Sequence, residues 1–286
     1  MRKIEFIGAS GTGKSTLFEE VLKNRGEEDT WITPTEGRIQ IVKKMSSGQY
    51  HSPLYKIMLT VIKLNLFKKN HSAIATFLLK KSKKERLALQ LQEYDPLIKI
   101  FLQGMMMDLH MESYRKGQFI RFYLNLIETD LLLLEDIVPE QLIVYDDGII
   151  HNTEGITNEK FFNEMVQSNS KILEKILPDG VVFCELSEIE NYKRRKSRIV
   201  QGKGTMIENN LSDQQLKDLC HTSMEESKET IAILEAFSIP VLRINMDDDF
   251  EKNIDIVNEF IRKISQNVFF KEERSSFTNL ISLEGK

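Results

Sequence analysis

The segment GASGTGKST, residues 8–16, has the residue types and the spacing that hold a phosphate chain. It fits the pattern G-x-x-x-x-G-K-[ST]. Glycines allow tight turns and close backbone approach, so the loop N–H groups surround phosphate oxygens at the positive end of the following helix. In this pattern the lysine reaches the β- and γ-phosphates and the hydroxyl binds Mg²⁺. We therefore predict that Mg-ATP is bound by Gly8, Ser10, Gly11, Thr12, Gly13, Lys14, Ser15 and Thr16, with Ser15 as a metal ligand.

A carboxylate near the metal is the second requirement of phosphoryl transfer. The stretch LIVYDDG ends an apolar run with Asp146 and Asp147. Adjacent residues of an extended segment point to opposite sides, so only one of the two acids is expected to face the phosphates. We predict that Asp146 is this acid and that it binds the metal. The alternative is a pair of solvated acids that close a strand at a turn.

A group of arginines follows in NYKRRKSRIVQGKG. Arg194 and Arg198 are four residues apart and so lie on one face of a helix, whereas Arg195 is expected to point elsewhere. Such a pair could close over a transferring phosphoryl group and neutralise its charge. Gly202 and Gly204 would provide a hinge. Alternatively, the arginines are the solvated face of a helix.

The order of elements predicts an α/β fold. Helical segments alternate with five short apolar strands, which indicates a parallel sheet covered by helices on both faces; the strands are KIEFIG, TWITP, QLIVYDDG, GVVFCEL and IPVLRIN. Residues 37–135 are predicted to be mostly helical, as are residues 158–176. In such sheets a ligand lies beyond the carboxyl ends of the strands, which is where the residues above are expected to meet.

Length and composition favour one domain with a large insertion. The chain has 286 residues, of which 41% are hydrophobic and 29% charged. No apolar run is long enough to span a bilayer, and the amino terminus lacks an apolar signal segment. The two cysteines have neither disulfide nor metal-ligand spacing. We expect a cytoplasmic protein with a domain over residues 1–265, a helical insertion at 37–135, a lid at about 187–206 and a polar tail at 266–286.

Basic residues are concentrated in one part of the chain. Residues 43–86 contain eleven Lys or Arg residues and a single acid, Glu85. One interpretation is a site for an anionic ligand, including nucleic acid or an anionic surface. The other is that the lysines, including those of KKSKK, form the solvated sides of amphipathic helices.

The stretch VVFCELSEIENYKRRKSR resembles the strand, helix and lid of the nucleoside and nucleotide kinases, notably the thymidylate kinase and deoxynucleoside kinase group. The stretch IPVLRINMDDDFEKNIDIVNEFI is similar to their last strand and final helix, and GASGTGKST and VYDDG complete the frame. The resemblance covers most of the chain outside its helical middle. It implies a three-layer kinase fold around a five-stranded parallel sheet, with the middle helices building the acceptor pocket.

The chain departs from that group after the third predicted strand. Thymidylate kinases have an Asp-Arg pair there and deoxynucleoside kinases a Glu-Arg pair, whereas this chain has Asp146-Asp147 followed by Gly148. The arginine that would hold the acceptor is missing. In TPTEGR, Glu36 stands where deoxynucleoside kinases place a base, so it either deprotonates an acceptor hydroxyl or caps the next helix. Arg38 could take over part of the missing arginine's role.

These features predict a kinase in which Lys14, Asp146, Arg194, Arg198 and Glu36 are catalytic, and in which Glu36 and Arg38 bind the acceptor. The acceptor is expected to be a small molecule, a nucleoside or nucleoside monophosphate, and the assembly a homodimer. Two alternatives stay open: a kinase of another metabolite such as a sugar, or an NTPase that regulates a partner through its basic helices. A GTPase is disfavoured because no Asn-Lys-x-Asp stretch occurs.

Overall fold

The computed structural model describes residues 2–45, 52–107, 113–137, 141–153, 162–163, 170–205 and 208–266. Contacts between residues divide the chain into two compact units. The first unit comprises Met1–Arg2 and Trp31–Tyr145, and the second comprises Lys3–Thr30 and Asp146–Lys286. The predicted one-domain organisation, with its insertion and lid, stays a prediction. Of the predicted tail, all but Gln266 lies outside the described residues.

Four strands form one sheet in the order β2-β1-β3-β4. They are β1 (Arg2–Ile7), β2 (Leu142–Tyr145), β3 (Gly180–Glu185) and β4 (Val241–Asn245). β1 pairs with β3 in parallel and β3 with β4 in parallel, so that Val182 lies opposite Phe6 on one side and Leu242 on the other. The fifth predicted strand, TWITP, is not confirmed, because among the described residues it forms only an isolated parallel bridge between Ile32 and Ile143.

The first unit is helical, as predicted for the middle of the chain. Its helices are α2 (Pro34–Lys44), α3 (Pro53–Lys63), α4 (His71–Ser82), α5 (Lys84–Glu93), α6 (Asp95–Met107) and α7 (Ser113–Asp136). Aromatic and aliphatic side chains fill its core, where the rings of Phe101 and Tyr123 stack with their centroids 3.7 Å apart. Trp31, Leu59 and Ile62 are buried in this unit.

The second unit contains β1, β3 and β4 together with helices, two of which contact β4. Its helices are α1 (Lys14–Lys23), α8 (Ser170–Ile176), α9 (Glu188–Val200), α10 (Asp213–Ala236) and α11 (Phe250–Gln266). Ser187 caps α9 and Ser212 caps α10, each by accepting a hydrogen bond from a backbone N–H three residues on, which satisfies a donor that the first turn leaves free. Of the helix predicted over residues 158–176, the part before Ser170 lies largely outside the described residues.

In the described part of the chain, no helix is both long and apolar enough to cross a membrane.

Candidate phosphate-binding site

The phosphate loop has the predicted strand–loop–helix setting. β1 ends at Ile7 and α1 begins at Lys14. Gly13 precedes α1 with a φ of 97°, a left-handed conformation that glycine adopts without the steric cost of a side chain. A Cβ on Gly8 would lie 2.7 Å from the backbone oxygen of Cys184 on β3, so only glycine fits this close approach. The two glycines therefore let the loop fold back tightly over the end of the sheet.

An open cavity of about 910 Å³ lies over this loop and is large enough for a nucleotide. All nine residues of the segment 8–16 line it. Its other lining residues come mainly from α9, from the segment after β4 and from the start of α11; they include Arg194, Arg198, Met246 and Phe250. Because β1, β3 and β4 are parallel, their carboxyl ends meet at this edge of the sheet, where ligands bind in such folds.

Lys14 binds both of the acids that follow β2. Its Nζ donates to Asp146 Oδ1 at 3.1 Å, to Asp147 Oδ1 at 2.7 Å and to the Asp146 carbonyl oxygen at 2.5 Å. The lysine is buried, with 7% of its surface exposed. Burial opposes the charged form, but the two carboxylates outweigh it and raise the pKa of Lys14 above 10.5. Lys14 is therefore a fixed cation. Phosphate oxygens of a ligand would bind its ammonium group beside the two carboxylates or in their place.

That only one of the two acids, Asp146, faces the phosphates stays a prediction, although the argument from strand alternation does not hold. β2 ends at Tyr145, so the alternation of side chains along a strand no longer applies to residues 146 and 147. Both carboxylates reach Lys14, and Asp147 also lines the cavity. Burial disfavours the charge on Asp147, but Lys14 outweighs this effect and lowers the pKa of its carboxyl. The metal role of Asp146 stays a prediction, with Asp147 beside it as a second candidate.

Glu5 anchors the loop that carries these acids, which the sequence did not indicate. Its carboxylate, 1% exposed, accepts hydrogen bonds from the backbone N–H groups of Ile150 and His151 at 3.1 and 3.2 Å. A Cβ on Gly148 would overlap that carboxylate, which explains why a residue without a side chain follows the two acids. The acid inside β1 was the available signal, because a buried carboxylate in an apolar strand requires partners.

The two predicted lid arginines differ in what they contact. Arg194 donates to the carbonyl oxygen of Thr12 at 2.9 Å and to that of Met246 at 3.2 Å, and thereby joins α9 to the phosphate loop. Arg198 lines the same cavity, and no hydrogen bond or ion pair of its guanidinium occurs among the described residues. Both arginines therefore line the cavity, as their spacing predicted. Of the two, Arg198 is the one whose guanidinium is not paired within the described residues.

Arg195 lies on a different face of α9 from Arg194 and Arg198 and does not line the cavity, but it contacts the phosphate loop from that face. It is buried, its Nε donates to the carbonyl oxygen of Ser10 at 2.8 Å, and it pairs with buried Glu208 at 3.7 Å. Asn191, one turn earlier on α9, also donates to Ser10 at 3.0 Å. The spacing of four that selected Arg194 and Arg198 applies equally to Asn191 and Arg195, so this second face of the helix could have been found from the sequence.

The residues present fit a magnesium ion held with a nucleotide. Within the described ranges, no group of three or more His, Cys, Asp or Glu side chains is arranged to hold a metal ion alone. Mg²⁺ bound with phosphates takes only one or two protein oxygens and keeps several waters. Ser15 is exposed at the start of α1 and lines the cavity together with Asp147. Thr16, beside Ser15, is also exposed on the cavity wall.

Glu36 and Arg38 lie in the first unit, on the first turns of α2. Glu36 is the acid of a capping box: its carboxylate accepts from the Thr33 N–H at 2.8 Å, and its own N–H donates to the Thr33 hydroxyl. The capping alternative for Glu36 is thus observed. Its catalytic role stays a prediction.

Arg38 is a partly buried cation held by neutral groups. Its guanidinium donates to the hydroxyls of Thr129, Thr35 and Ser72 at 3.1, 3.1 and 3.5 Å. No carboxylate pairs with it in the described part of the chain, and its buried Nε has no hydrogen-bond partner there. Burial lowers the pKa of Arg38, partly offset by Tyr145. A desolvated guanidinium without a counter-ion is suited to binding an anion.

Three similar solved structures are of a deoxyadenosine kinase from M. mycoides. The form with bound dCTP is 12% identical with a TM-score of 0.43, over 91% of this chain and 99% of that chain. The form with the products dCMP and a flexible dCDP is 13% identical with a TM-score of 0.44, over 92% and 99%. The form with bound dATP is 14% identical with a TM-score of 0.37, over 91% and 99%.

These neighbours belong to the group that the sequence resemblance named. No protein-family profile matches the chain, and no curated protein matches it. At these identities and TM-scores, any activity has to be supported by the site itself. That candidate site is a glycine-rich loop on a parallel α/β sheet, with Lys14, Asp147, Arg194 and Arg198 lining one cavity.

Proposed function

We propose that this protein is a kinase that transfers the γ-phosphoryl group of Mg-ATP to a small acceptor, a nucleoside monophosphate or nucleoside. The observation that carries the proposal is the arrangement around the cavity. Lys14, Asp147, Arg194 and Arg198 all lie on its wall, and the loop Gly8–Thr16 forms its floor. Cations that surround a phosphate chain stabilise the charge that develops when the phosphoryl group leaves.

Each residue has a distinct part in this proposal. The loop N–H groups and Lys14 hold the β- and γ-phosphates, and Lys14 exchanges carboxylate contacts for phosphate oxygens. Bound Mg²⁺ supplies charge neutralisation between these phosphates. Ser15 and Asp146 would hold it. Arg194 keeps α9 on the loop through Thr12, and Arg198 provides the uncommitted positive charge for the transferred group.

Two observations in the first unit favour a nucleoside monophosphate over a nucleoside. Arg38 is a partly buried guanidinium without a carboxylate partner among the described residues, and an acceptor phosphate would supply the missing anion. Glu36 is engaged by the Thr33 N–H. A phosphate acceptor is already ionised at neutral pH and needs no base, whereas a nucleoside hydroxyl does.

The experiment that tests the proposal is ADP release from Mg-ATP in the presence of separate pools of nucleoside monophosphates, nucleosides and sugars. We expect the monophosphate pool to raise turnover far above the rate with water alone. Arg198→Ala should remove that rise. Lys193→Ala is the matched control, since Lys193 is exposed on the same helix and paired with Glu190. An equal, low rate with every pool would refute phosphoryl transfer, and stimulation by sugars alone would refute the acceptor class.

A further inference from the structure

The connection between α3 and α4 presents apolar side chains to solvent. We call residues 64–70 the tip. Within it Leu64, Leu66 and Phe67 are 63%, 47% and 73% exposed. The apolar surface continues along α3, because Leu54 and Ile57 are 54% and 61% exposed and Leu64 follows them at helical spacing. The opposite side of α3 is buried through Leu59 and Ile62. The helix is therefore apolar on its core side and along one solvent side.

The tip has a defined backbone rather than a frayed end. Asn65 is left-handed, with a φ of 54°, and the N–H groups of Leu66 and Asn65 bond back to the carbonyls of Val61 and Ile62. This pair of backbone hydrogen bonds is the Schellman motif that ends helices. The ring of buried His71 donates from Nε2 to the Leu66 carbonyl at 2.5 Å. The exposed apolar side chains are thus held outward by hydrogen bonds.

Phe67 adds backbone strain at the most exposed position. Its φ is 53°, a left-handed conformation that is strained for a bulky residue. Glycine or asparagine would occupy this position without that strain. A strained aromatic residue held in water contributes nothing to the core of the unit.

Lysines surround the apolar side chains. Lys56 and Lys63 flank the exposed line on α3, and Lys68 and Lys69 follow Phe67 directly. All four are exposed, and within the described ranges their ammonium groups have no carboxylate partner. The sequence contains no Asp or Glu between Glu36 and Glu85. The surface therefore combines exposed leucine, isoleucine and phenylalanine with unneutralised positive charge.

We propose that the tip and the exposed side of α3 dock on an anionic lipid membrane surface. Apolar side chains beside lysines are the composition of helices that lie in the membrane interface, where the acyl region covers the former and the headgroups attract the latter. A nucleic acid would neutralise the lysines but would leave the aliphatic side chains uncovered. A symmetric contact with a second copy would place like-charged lysines against each other.

The test is flotation of the full chain with vesicles of phosphatidylcholine alone or mixed with phosphatidylglycerol. We expect binding to the mixed vesicles only, weakened by salt. Phe67→Ser should weaken it about tenfold, the effect of losing one buried aromatic side chain. Lys68→Ala with Lys69→Ala should weaken it about twentyfold at low salt. Phe119→Ser is the matched control, since Phe119 is also an exposed phenylalanine but lies on α7, outside the tip. Melting temperatures verify that the variants fold.

A reporter variant makes the outcome specific to the tip. The chain has a single tryptophan, Trp31, which is buried, so Phe67→Trp adds an exposed indole. Its emission should shift to the blue with the mixed vesicles and be quenched by brominated acyl chains. Binding without that shift, equal binding by Phe67→Ser, or binding to neutral vesicles would overturn the proposal. The proposal would also be overturned if the tip bound nucleic acid or a second copy of the chain instead of vesicles. That outcome would be detected as an increase in mass that Phe67→Ser abolishes, with no binding to vesicles.

Discussion

Lys14 and Asp147 form a hydrogen-bonded ion pair, with Nζ 2.7 Å from Oδ1, in the wall of the cavity over the phosphate loop. Asp146 shares the same ammonium at 3.1 Å. A triphosphate that uses Lys14 must compete with two carboxylates for one cation. A nucleotide bound there would meet a positive anchor and two negative neighbours, and a metal ion held by those carboxylates would offset their repulsion of the phosphates.

Lys14→Ala should reduce kcat/KM for ATP by at least about a hundredfold, because the cation that holds the transferring phosphates is lost. Steady-state kinetics with varied Mg-ATP provide the measurement. Lys23→Ala is the control, as Lys23 lies on the same helix but is exposed and paired with Glu20. Equal kinetics of Lys14→Ala and Lys23→Ala would show that the loop does not act on the nucleotide.

Replacement of the two acids should have opposite effects on nucleotide binding. Asp146→Asn is expected to raise the Mg²⁺ concentration needed for half-maximal turnover, since it removes the proposed metal ligand. Asp147→Asn should strengthen ATP binding without Mg²⁺ by about threefold, because it removes a negative charge near the phosphates and frees Lys14. Titration calorimetry with and without Mg²⁺ separates these effects. If the Mg²⁺ concentration for half-maximal turnover were unchanged in Asp146→Asn but raised in Asp147→Asn, Asp147 rather than Asp146 would be the metal ligand.

The contribution of Asp147 to stability should depend on acid pH. Burial opposes its charge, but Lys14 outweighs burial and lowers the pKa of this carboxyl below its ordinary value of 3.8. The stabilisation by Asp147 is therefore complete above about pH 3.8 and is lost as the pH falls through the pKa of the folded state. We expect Asp147→Asn to lower the free energy of unfolding by less than about 1 kcal/mol at neutral pH, since Asp147 is partly exposed. Urea unfolding of both proteins should show this difference vanish in strong acid. A difference that grows as the pH falls would contradict the assignment.

Arg194 and Arg195 should separate activity from stability. Arg195→Ala leaves Glu208 buried without its partner, which should cost about 3 kcal/mol or more of unfolding free energy. Arg194 is partly exposed and binds carbonyl oxygens at the loop, so Arg194→Ala should lower kcat while the melting temperature changes little. Calorimetric melting and turnover of both variants provide the comparison. A large loss of stability in Arg194→Ala, with none in Arg195→Ala, would reverse the two roles.

Glu36 allows its capping role to be tested separately from base catalysis. Glutamine also completes a capping box, whereas alanine does not. Glu36→Gln should therefore keep the melting temperature, and Glu36→Ala should lose about 1 kcal/mol of stability. If the acceptor is a monophosphate, Glu36→Gln keeps most of its turnover. A loss of kcat by a hundredfold or more in Glu36→Gln, with an unchanged melting temperature, would instead identify Glu36 as a base.

The local patterns of the sequence were sufficient to predict the strand and helix on either side of the glycine-rich loop, and the shared helix face of Arg194 and Arg198. The loop motif needs only its flanking strand and helix, and residues four apart on a helix share a face wherever the helix lies. The sequence did not indicate the partners of Glu5, because they are backbone N–H groups of residues 150 and 151, which are distant from it along the chain. The argument that adjacent acids point to opposite sides did not anticipate that both bind Lys14, because β2 ends directly before them. Where a strand ends depends on its neighbours more than on its own residues.

The most direct test follows the labelled γ-phosphate of ATP when the protein is incubated with Mg²⁺ and a pool of nucleoside monophosphates. Transfer and hydrolysis both release ADP, but only transfer places the label on an acceptor. We predict that the label appears in nucleoside diphosphate, and that Lys14→Ala and Arg198→Ala abolish its appearance. Label found only in inorganic phosphate, with every acceptor pool, would contradict the kinase assignment and identify the site as that of an NTPase.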